Sequence, residues 1–380
     1  AKLKVIDHYR ETYECRSCRK NGTPYMEKAP VPYPPVLHSL ASASTITWLI
    51  HQKFELSIPL YRQEKEWEAL GLRLSRATMS NWLLVVYRDW LVHIVHRLKL
   101  ELLKQRYLHI DETHVQVLKE PGRKNTSDSY MWVYCSIRDA VNPIRYFEYQ
   151  PGRSGKYPEA FLREYEGYIH TDAYSGYNAV SGVKRCLCYT HLRRAFVDAL
   201  PKDIHNSEAS KPAEAILRLN QLFNIESELE AFPPDQKKKE RLIREKPLLE
   251  AFWSWAEKSA IGELPKSKLS KAFHYALNNR EGFWNYLEDG NCSISNSLAE
   301  NCIRPFVIGR KNWLFSGSPK GAEASAGIYT LVETAKANGL APMKYIKYIL
   351  SDMPGSAFLE HPEYLDDYLP WNPLVKEFCR

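Results

Sequence analysis

The chain has 380 residues, 44% of them apolar and 26% charged, a composition ordinary for a soluble globular protein and long enough for two or three domains. No apolar run approaches the roughly eighteen residues of a membrane span, no secretory core opens the sequence, and the chain begins at Ala1 rather than Met, as a fragment would. The net charge of +7 is localised: residues 1–107 hold 17 Lys and Arg against 10 Asp and Glu, and the rest balances at 35 of each. A solvated surface can carry such a bias, but it makes the N-terminal part the expected contact with a polyanion.

Residues 1–28 read as a short strand pair around Cys15-x-x-Cys18, a partial zinc-ribbon-like segment with only half of the four ligands that zinc takes. The other six cysteines follow no framework of a small secreted domain and look like reduced cytosolic thiols. Residues 29–38, around "APVPYPPV", form a Pro-rich extended linker. The span 39–106 is helical. A first helix is expected from Ser39 to Phe54, with Leu40, Ile46, Leu49 and Ile50 as its apolar face. Pro59 then opens a second helix carrying Tyr61 and Leu70, Gly71 stops it, and Ser75 caps a third beginning at Arg76. Helix, tight turn, helix is the outline of a helix-turn-helix that would offer Arg76, Thr78, Ser80 and Asn81 to DNA. An ordinary αα-hairpin has the same outline. The third helix should run on through residue 105 as a long connector.

From residue 107 the period becomes two. "YLHIDETHVQVL", "SYMWVYCSIRD" and "PIRYFEYQ" are three strands, "KYPEAFLREY" a helix, and "GYIHTDAYSGYNAV" opens on a short strand ending in Asp172. "KRCLCYTHLRRAFVDAL" is a strand followed by a helix. Helices then fill 201–290, where the triple Lys at 237–239 reads as a solvated face. "SISNSLAENCIRPFVIGRKNWLF" is a helix followed by a basic loop, and "AEASAGIYTLVETAKANG" is another helix.

Three strands, a helix, a strand ending in an acid and further helices are the start of an α/β layer of ribonuclease H-like type. In such a sheet Asp111 sits at the centre of the first strand, Asp172 ends the neighbouring fourth strand, and a helix brings Glu300. The separations are 61 and 128 residues, so the 201–290 helices must be an insertion between the last two acids. Three converging carboxylates repel unless a cation lies among them, and oxygen-only ligands favour Mg²⁺ or Mn²⁺. Asp111 and Glu112 cannot both face one site from a strand. Asp111 is taken as the ligand, and Glu112 as a surface or salt-bridge residue on the opposite face. Each acid alone is equally compatible with a surface or turn position.

The pieces "HIDETHVQVL", "MWVY", "IHTDAYSGYNA", "CYTHLRRAF", "SNSLAENCIRPFVIGRKNWLFSGS", "GIYTLVETAKANG" and "LPWN" occur, in that order, in bacterial insertion-sequence transposases. Over nearly its whole length the chain resembles the insertion sequence 66 family of DDE (Asp-Asp-Glu) transposases. The resemblance implies that Asp111, Asp172 and Glu300 are the catalytic triad, holding two Mg²⁺ or Mn²⁺ ions. DNA contacts are expected from Arg76 and Asn81 of the helix-turn-helix outline, from Arg304, for which an ion pair is the competing role, and from Arg310 and Lys311 in a basic stretch beside Trp313, which could stack on a base. Asn296, Glu300 and Arg304 recur every four residues and so share a helix face. The resemblance further suggests an upstream Cys pair, absent here, that would complete a zinc site with Cys15 and Cys18. Cys188-x-x-His191 matches an element that follows the second Asp in several DDE families. For Cys186 and His191, a structural hydrogen bond or core packing is favoured over a metal.

The expected organisation is therefore 1–28 partial zinc ribbon, 29–38 linker, 39–106 helix-turn-helix-like DNA-binding region, 107–200 first part of a ribonuclease H-like core, 201–290 helical insertion, 291–340 end of the core with the Glu, and 341–380 helical tail. The expected activity is metal-dependent cleavage of transposon ends followed by transfer of the 3′-OH into target DNA. Such an enzyme would work in the bacterial cytoplasm at the nucleoid, as at least a dimer, with accessory proteins of the same element and no membrane. An inactive DNA-binding relative, or a nuclease without strand transfer, are the alternatives; a glycosidase would also use paired carboxylates but fits the basic segment poorly.

Overall fold

A computed structural model describes residues 3–201 and 210–380. At its start β1 (Thr12–Glu14) pairs antiparallel with β2 (Met26–Lys28) around the short helix α1 (Arg16–Lys20), so the expected strand pair is present and fully exposed. Among the described residues no third metal ligand joins Cys15 and Cys18.

The first long helix is shorter than expected. α2 (Ala43–Ile50) starts at Ser42, whose hydroxyl accepts the Thr45 N–H at 3.2 Å, and ends in one π-helical turn, His51–Glu55. Ile46, Leu49 and Ile50 are buried as expected, whereas Leu40 precedes the cap and is fully exposed. α3 (Leu60–Ala69) follows Pro59. The chain then turns through Gly71 at φ +86°, a left-handed conformation that glycine adopts without steric cost, into α4 (Arg76–Val86), capped by Ser75. α3 buries Gln63 and Trp67 instead of Tyr61 and Leu70. Gln63 is accommodated because its amide donates to the Ile58 carbonyl at 2.9 Å. α4 continues through a π-helical turn, Tyr87–Leu91, into α5 (Val92–Leu103), the long connector the pattern predicts.

The main sheet begins with the antiparallel meander β3 (Tyr107–Val117), β4 (Asp128–Ser136) and β5 (Arg145–Gln150). α6 (Lys156–Phe161) is the crossover that lets β6 (Gly167–Thr171) return parallel to β3, with His109 opposite His170; β7 (Val183–Leu187) adds parallel beyond it. The order β5-β4-β3-β6-β7 makes β3 central, flanked by the strand that leads to Asp172. α7 (Tyr189–Val197) follows β7. The helical stretch comprises α8 (Lys211–Glu228), α9 (Pro234–Ala260), α10 (Lys268–Asn278) and α11 (Arg280–Trp284); residues 202–209 of the expected insertion lie outside the described residues. With α7 these helices enclose a second core, including Phe196, Leu219, Trp253 and Phe273, distinct from the one around β3–β5.

α12 (Ser297–Trp313) lies along β3 and β4, with Ala299, Ile303, Phe306 and Gly309 as its buried stripe. The expected basic loop is absent, because Arg310, Lys311 and Asn312 form the last turn of this helix. Cations there face the negative end of the helix dipole, and the buried stripe holds the helix together past Pro305. The next residues, β8 (Phe315–Ser316), add a short parallel pairing to the far end of β3 that the sequence pattern does not reveal. α13 (Pro319–Ala337) covers the open edge of β5, its Thr330 and Thr334 hydroxyls accepting the Phe147 and Arg145 N–H groups at 2.8 and 3.1 Å. α14 (Pro342–Asp352) packs on α2, and α15 (Pro373–Cys379) on α14.

Candidate active site

Side chains of β3 alternate, so His109, Asp111 and Thr113 share the face on which α12 lies. Asn296, at the N-cap of α12, fixes the helix there. Its amide donates to the Ile110 carbonyl at 2.8 Å, its Oδ1 lies 3.0 Å from His109 Nδ1, and its backbone N–H reaches Cys188 Sγ at 3.1 Å. Because the amide nitrogen is spent on Ile110, Oδ1 must accept, which puts the His109 proton on Nδ1. Burial holds His109 well below its usual pKa, and it stacks on His170 with ring centroids 4.2 Å apart. One turn beyond the cap, α12 presents Glu300.

Asp172 follows the last residue of β6, and one of its oxygens accepts the Tyr174 N–H at 3.0 Å. The three predicted acids come together around Asp111. Burial pushes the Asp111 carboxyl up to about 7, and the negative charges of Glu112, Asp172 and Glu300 add to that shift. Among the described residues no cationic side chain pairs with Asp111, and Glu300 Oε1 is buried without a hydrogen-bond partner. Guanidinium groups stand 3.9 Å from Asp172 and 4.0 Å from Glu300 but none reaches Asp111, and three carboxylates are the oxygen donors that a hard divalent cation takes.

Glu112 faces the other side of the sheet as a salt-bridge residue and not as a surface one: its side chain is 2% exposed. Arg153 reaches it at 2.6 Å, and the Tyr177 hydroxyl donates to its second oxygen. Burial raises its pKa, and Tyr177 and Arg153 work against that shift. The same guanidinium stands 3.9 Å from Asp172 and stacks on Tyr174 at 3.9 Å. An open cleft of about 360 Å³ lies beside Asp172, lined also by Arg153, Tyr174, His191, Arg194 and Tyr275.

Sequence reasoning missed Arg153 and Arg194. Arg194 lies in "CYTHLRRAF", two turns of chain beyond Cys188, and its guanidinium is 4.0 Å from Glu300. Arg153 sits in a "PGRSG" turn with no signal of its own. The expected DNA-contact residues are spread out. Arg76 and Asn81 are exposed on α4, far along the sequence from the acids, and Arg304 and Lys311 are exposed on α12. Arg304 makes no ion pair among the described residues. Arg310 is half-buried and donates to Thr113 at 3.2 Å, on the same face of β3 as Asp111. Trp313 packs against Gly309, under the Lys53 ammonium at 5.5 Å, so its ring is partly covered rather than free to stack on a base.

A family model described as "Transposase IS66 family" matches residues 38–324. Similar curated proteins include the uncharacterized proteins y4hP and y4jD of Sinorhizobium fredii (strain NBRC 101917 / NGR234). The first is 26% identical over 391 residues, covering 97% of this chain and 68% of its own length; the second is 26% identical over 384 residues, covering 97% and 73%. The chain belongs to the insertion sequence 66 transposase family.

Proposed function

We propose that this transposase is a DDE enzyme with a ribonuclease H-like core, in which Asp111, Asp172 and Glu300 hold the metals. The observation that carries the reading is the convergence on Asp111 of charges from β6 and α12, segments 61 and 189 residues away in sequence. The strand order, three antiparallel strands followed by two parallel ones, is the arrangement expected of such a core. Two Mg²⁺ or Mn²⁺ ions, when bound, would neutralise the three carboxylates and activate the attacking oxygen while stabilising the leaving one.

The chain's own residues do the rest. Asn296 sets the position of Glu300 against β3. Arg153 neutralises Glu112, so that its charge does not add fully to the site, and with Arg194 it lines the cleft beside Asp172 where a phosphodiester can lie. Arg304, Lys311 and the basic N-terminal helices take the flanking DNA backbone, a contact that weakens with salt. The reaction proposed is hydrolysis at the transposon end, freeing a 3′-OH, then attack of that hydroxyl on target DNA with no covalent enzyme intermediate. The helix-turn-helix role of α3 and α4, two subunits for two ends, accessory proteins and a nucleoid location belong to this same reading.

Its test is Mg²⁺-dependent cleavage and joining on end DNA. Asp111→Asn, Asp172→Asn and Glu300→Gln should each abolish both steps while DNA binding in EDTA persists. Undiminished cleavage by all three variants would refute the triad, and cleavage without joining in the wild type would leave a nuclease.

A further inference from the structure

Two clusters of metal-ligating side chains lie outside the carboxylate set, and their hydrogen bonding separates them. In the first, His170, Cys186 and Cys292 are buried together, but both His170 nitrogens are already used. Nδ1 lies 3.1 Å from the Leu108 carbonyl, and Nε2 accepts the Ser293 N–H at 2.9 Å. That cluster is satisfied as it stands.

The second cluster is not. Cys188 ends the β7 segment, His191 lies one turn into α7, and Glu300 comes from α12, with one ligand atom of each within 4.8 Å of the others. His191 Nδ1 and Glu300 Oε1 are both buried without hydrogen-bond partners, facing each other at 3.7 Å. That distance is too long for a hydrogen bond. Two N or O donors held about 2.1 Å from one tetrahedral ion would stand roughly 3.4 Å apart. Two orphaned polar atoms that point at one another across the width of an ion, beside a thiol, make a built site.

We infer that Cys188, His191 and Glu300 bind one zinc-class divalent cation at the edge of the cleft. Thiolate and imidazole donors select such an ion over Mg²⁺, and three protein ligands leave a fourth position toward the cleft that His191 lines. Binding converts the Cys188 thiol to thiolate and releases its proton to solvent. The ion fixes Glu300 through Oε1, on the side facing α7, independently of whether the three carboxylates act on DNA. The sequence favours a structural hydrogen bond or core packing for His191; a bond to the Cys188 thiol meets the first, and neither role accounts for Glu300 Oε1 standing unpaired opposite its Nδ1.

The experiment uses the full chain carrying Cys15→Ser and Cys18→Ser, which removes the half-buried N-terminal thiol pair, and needs no DNA. Titration with Co²⁺ should give one equivalent with a thiolate-to-cobalt charge-transfer band, displaced by Zn²⁺. X-ray absorption of the zinc form should show one sulfur among N and O donors. Cys188→Ser and His191→Gln should each weaken zinc binding by more than the about 10- to 100-fold that losing a supporting hydrogen bond to a ligand costs. Absence of a stoichiometric ion, or binding that survives both substitutions, overturns the site. Two sulfurs per zinc assign the ion to Cys186 and Cys292 and also overturn it. That sulfur count needs no variant to fold, and loss of DNA cleavage in the triad variants does not bear on it.

Discussion

Replacing Asp111 by Asn should stabilise the metal-free protein at neutral and higher pH, although the same change abolishes the proposed activity. The carboxyl titrates near 3.8 when unperturbed and at about 7 in the folded chain, raised by burial and by Glu112, Asp172 and Glu300. A carboxylate with a raised folded pKa costs nothing below the unfolded value, because both states then hold the proton. Between the two pKa values only the folded state keeps it, so stability falls as pH rises and levels off above about 7. A shift of roughly three units at about 1.4 kcal/mol per unit gives a penalty on the order of 4 kcal/mol, an upper bound once relaxation and water are allowed for. Asn keeps the size of Asp111 and removes the charge. In EDTA at about pH 8 the variant should melt several degrees above the wild type, and the difference should vanish toward about pH 4. Mg²⁺ should then raise the wild-type melting temperature and not that of the variant. If Asp111→Asn is neutral or destabilising at the higher pH, or if the difference does not depend on pH, the Asp111 carboxyl is not held as a buried group with a raised pKa.

Other perturbations separate the supporting contacts. Arg153→Ala leaves the buried Glu112 without its cation and should cost about 1–3 kcal/mol in denaturant unfolding, less than a fully buried pair because Arg153 is 40% exposed. Adding Glu112→Gln should restore most of that loss. Asn296→Ala strips partners from the His109 ring and the Ile110 carbonyl, at about 1–3 kcal/mol each, and should depress cleavage through a displaced Glu300 even where the protein remains folded by circular dichroism. Arg304→Ala and Lys311→Ala should each lower the slope of log K against log salt for DNA binding by about 1. An unchanged slope would take that face of α12 off the DNA.

Much of this arrangement is legible in the sequence because strands encode which face a residue takes. The period-two run through Asp111 and the short strand before Asp172 place two acids on adjacent strands, and the pairing of His109 with His170 bears out that neighbourhood. Local pattern fails where burial is supplied from elsewhere. Glu112 looks like a surface acid because nothing near it in sequence announces Tyr177 and Arg153, which cover the opposite face of β3. Arg310 and Lys311 look like a loop because Pro305 suggests a break, while the stripe Ile303, Phe306 and Gly309 holds the helix on the sheet. Leu40 satisfies the apolar period yet lies outside the helix, since Ser42 can cap and Leu40 cannot.

The least legible feature is the one on which the site depends, namely how an acid 128 residues after Asp172 returns to it. The helices between them have their own core around Trp253 and Phe273, and that core takes in Cys292 and Ile294, the residues that lead into α12. Asn296 then fixes the helix itself, its three polar groups tied to three places: the His109 ring, the Ile110 carbonyl and the Cys188 sulfur. Two of those anchors are on β3, one and two residues before Asp111, and the third follows β7, next to the strand that leads to Asp172. A buried asparagine four residues before the last acid thus marks the site through its three anchors, which the 128-residue spacing between the acids does not reveal.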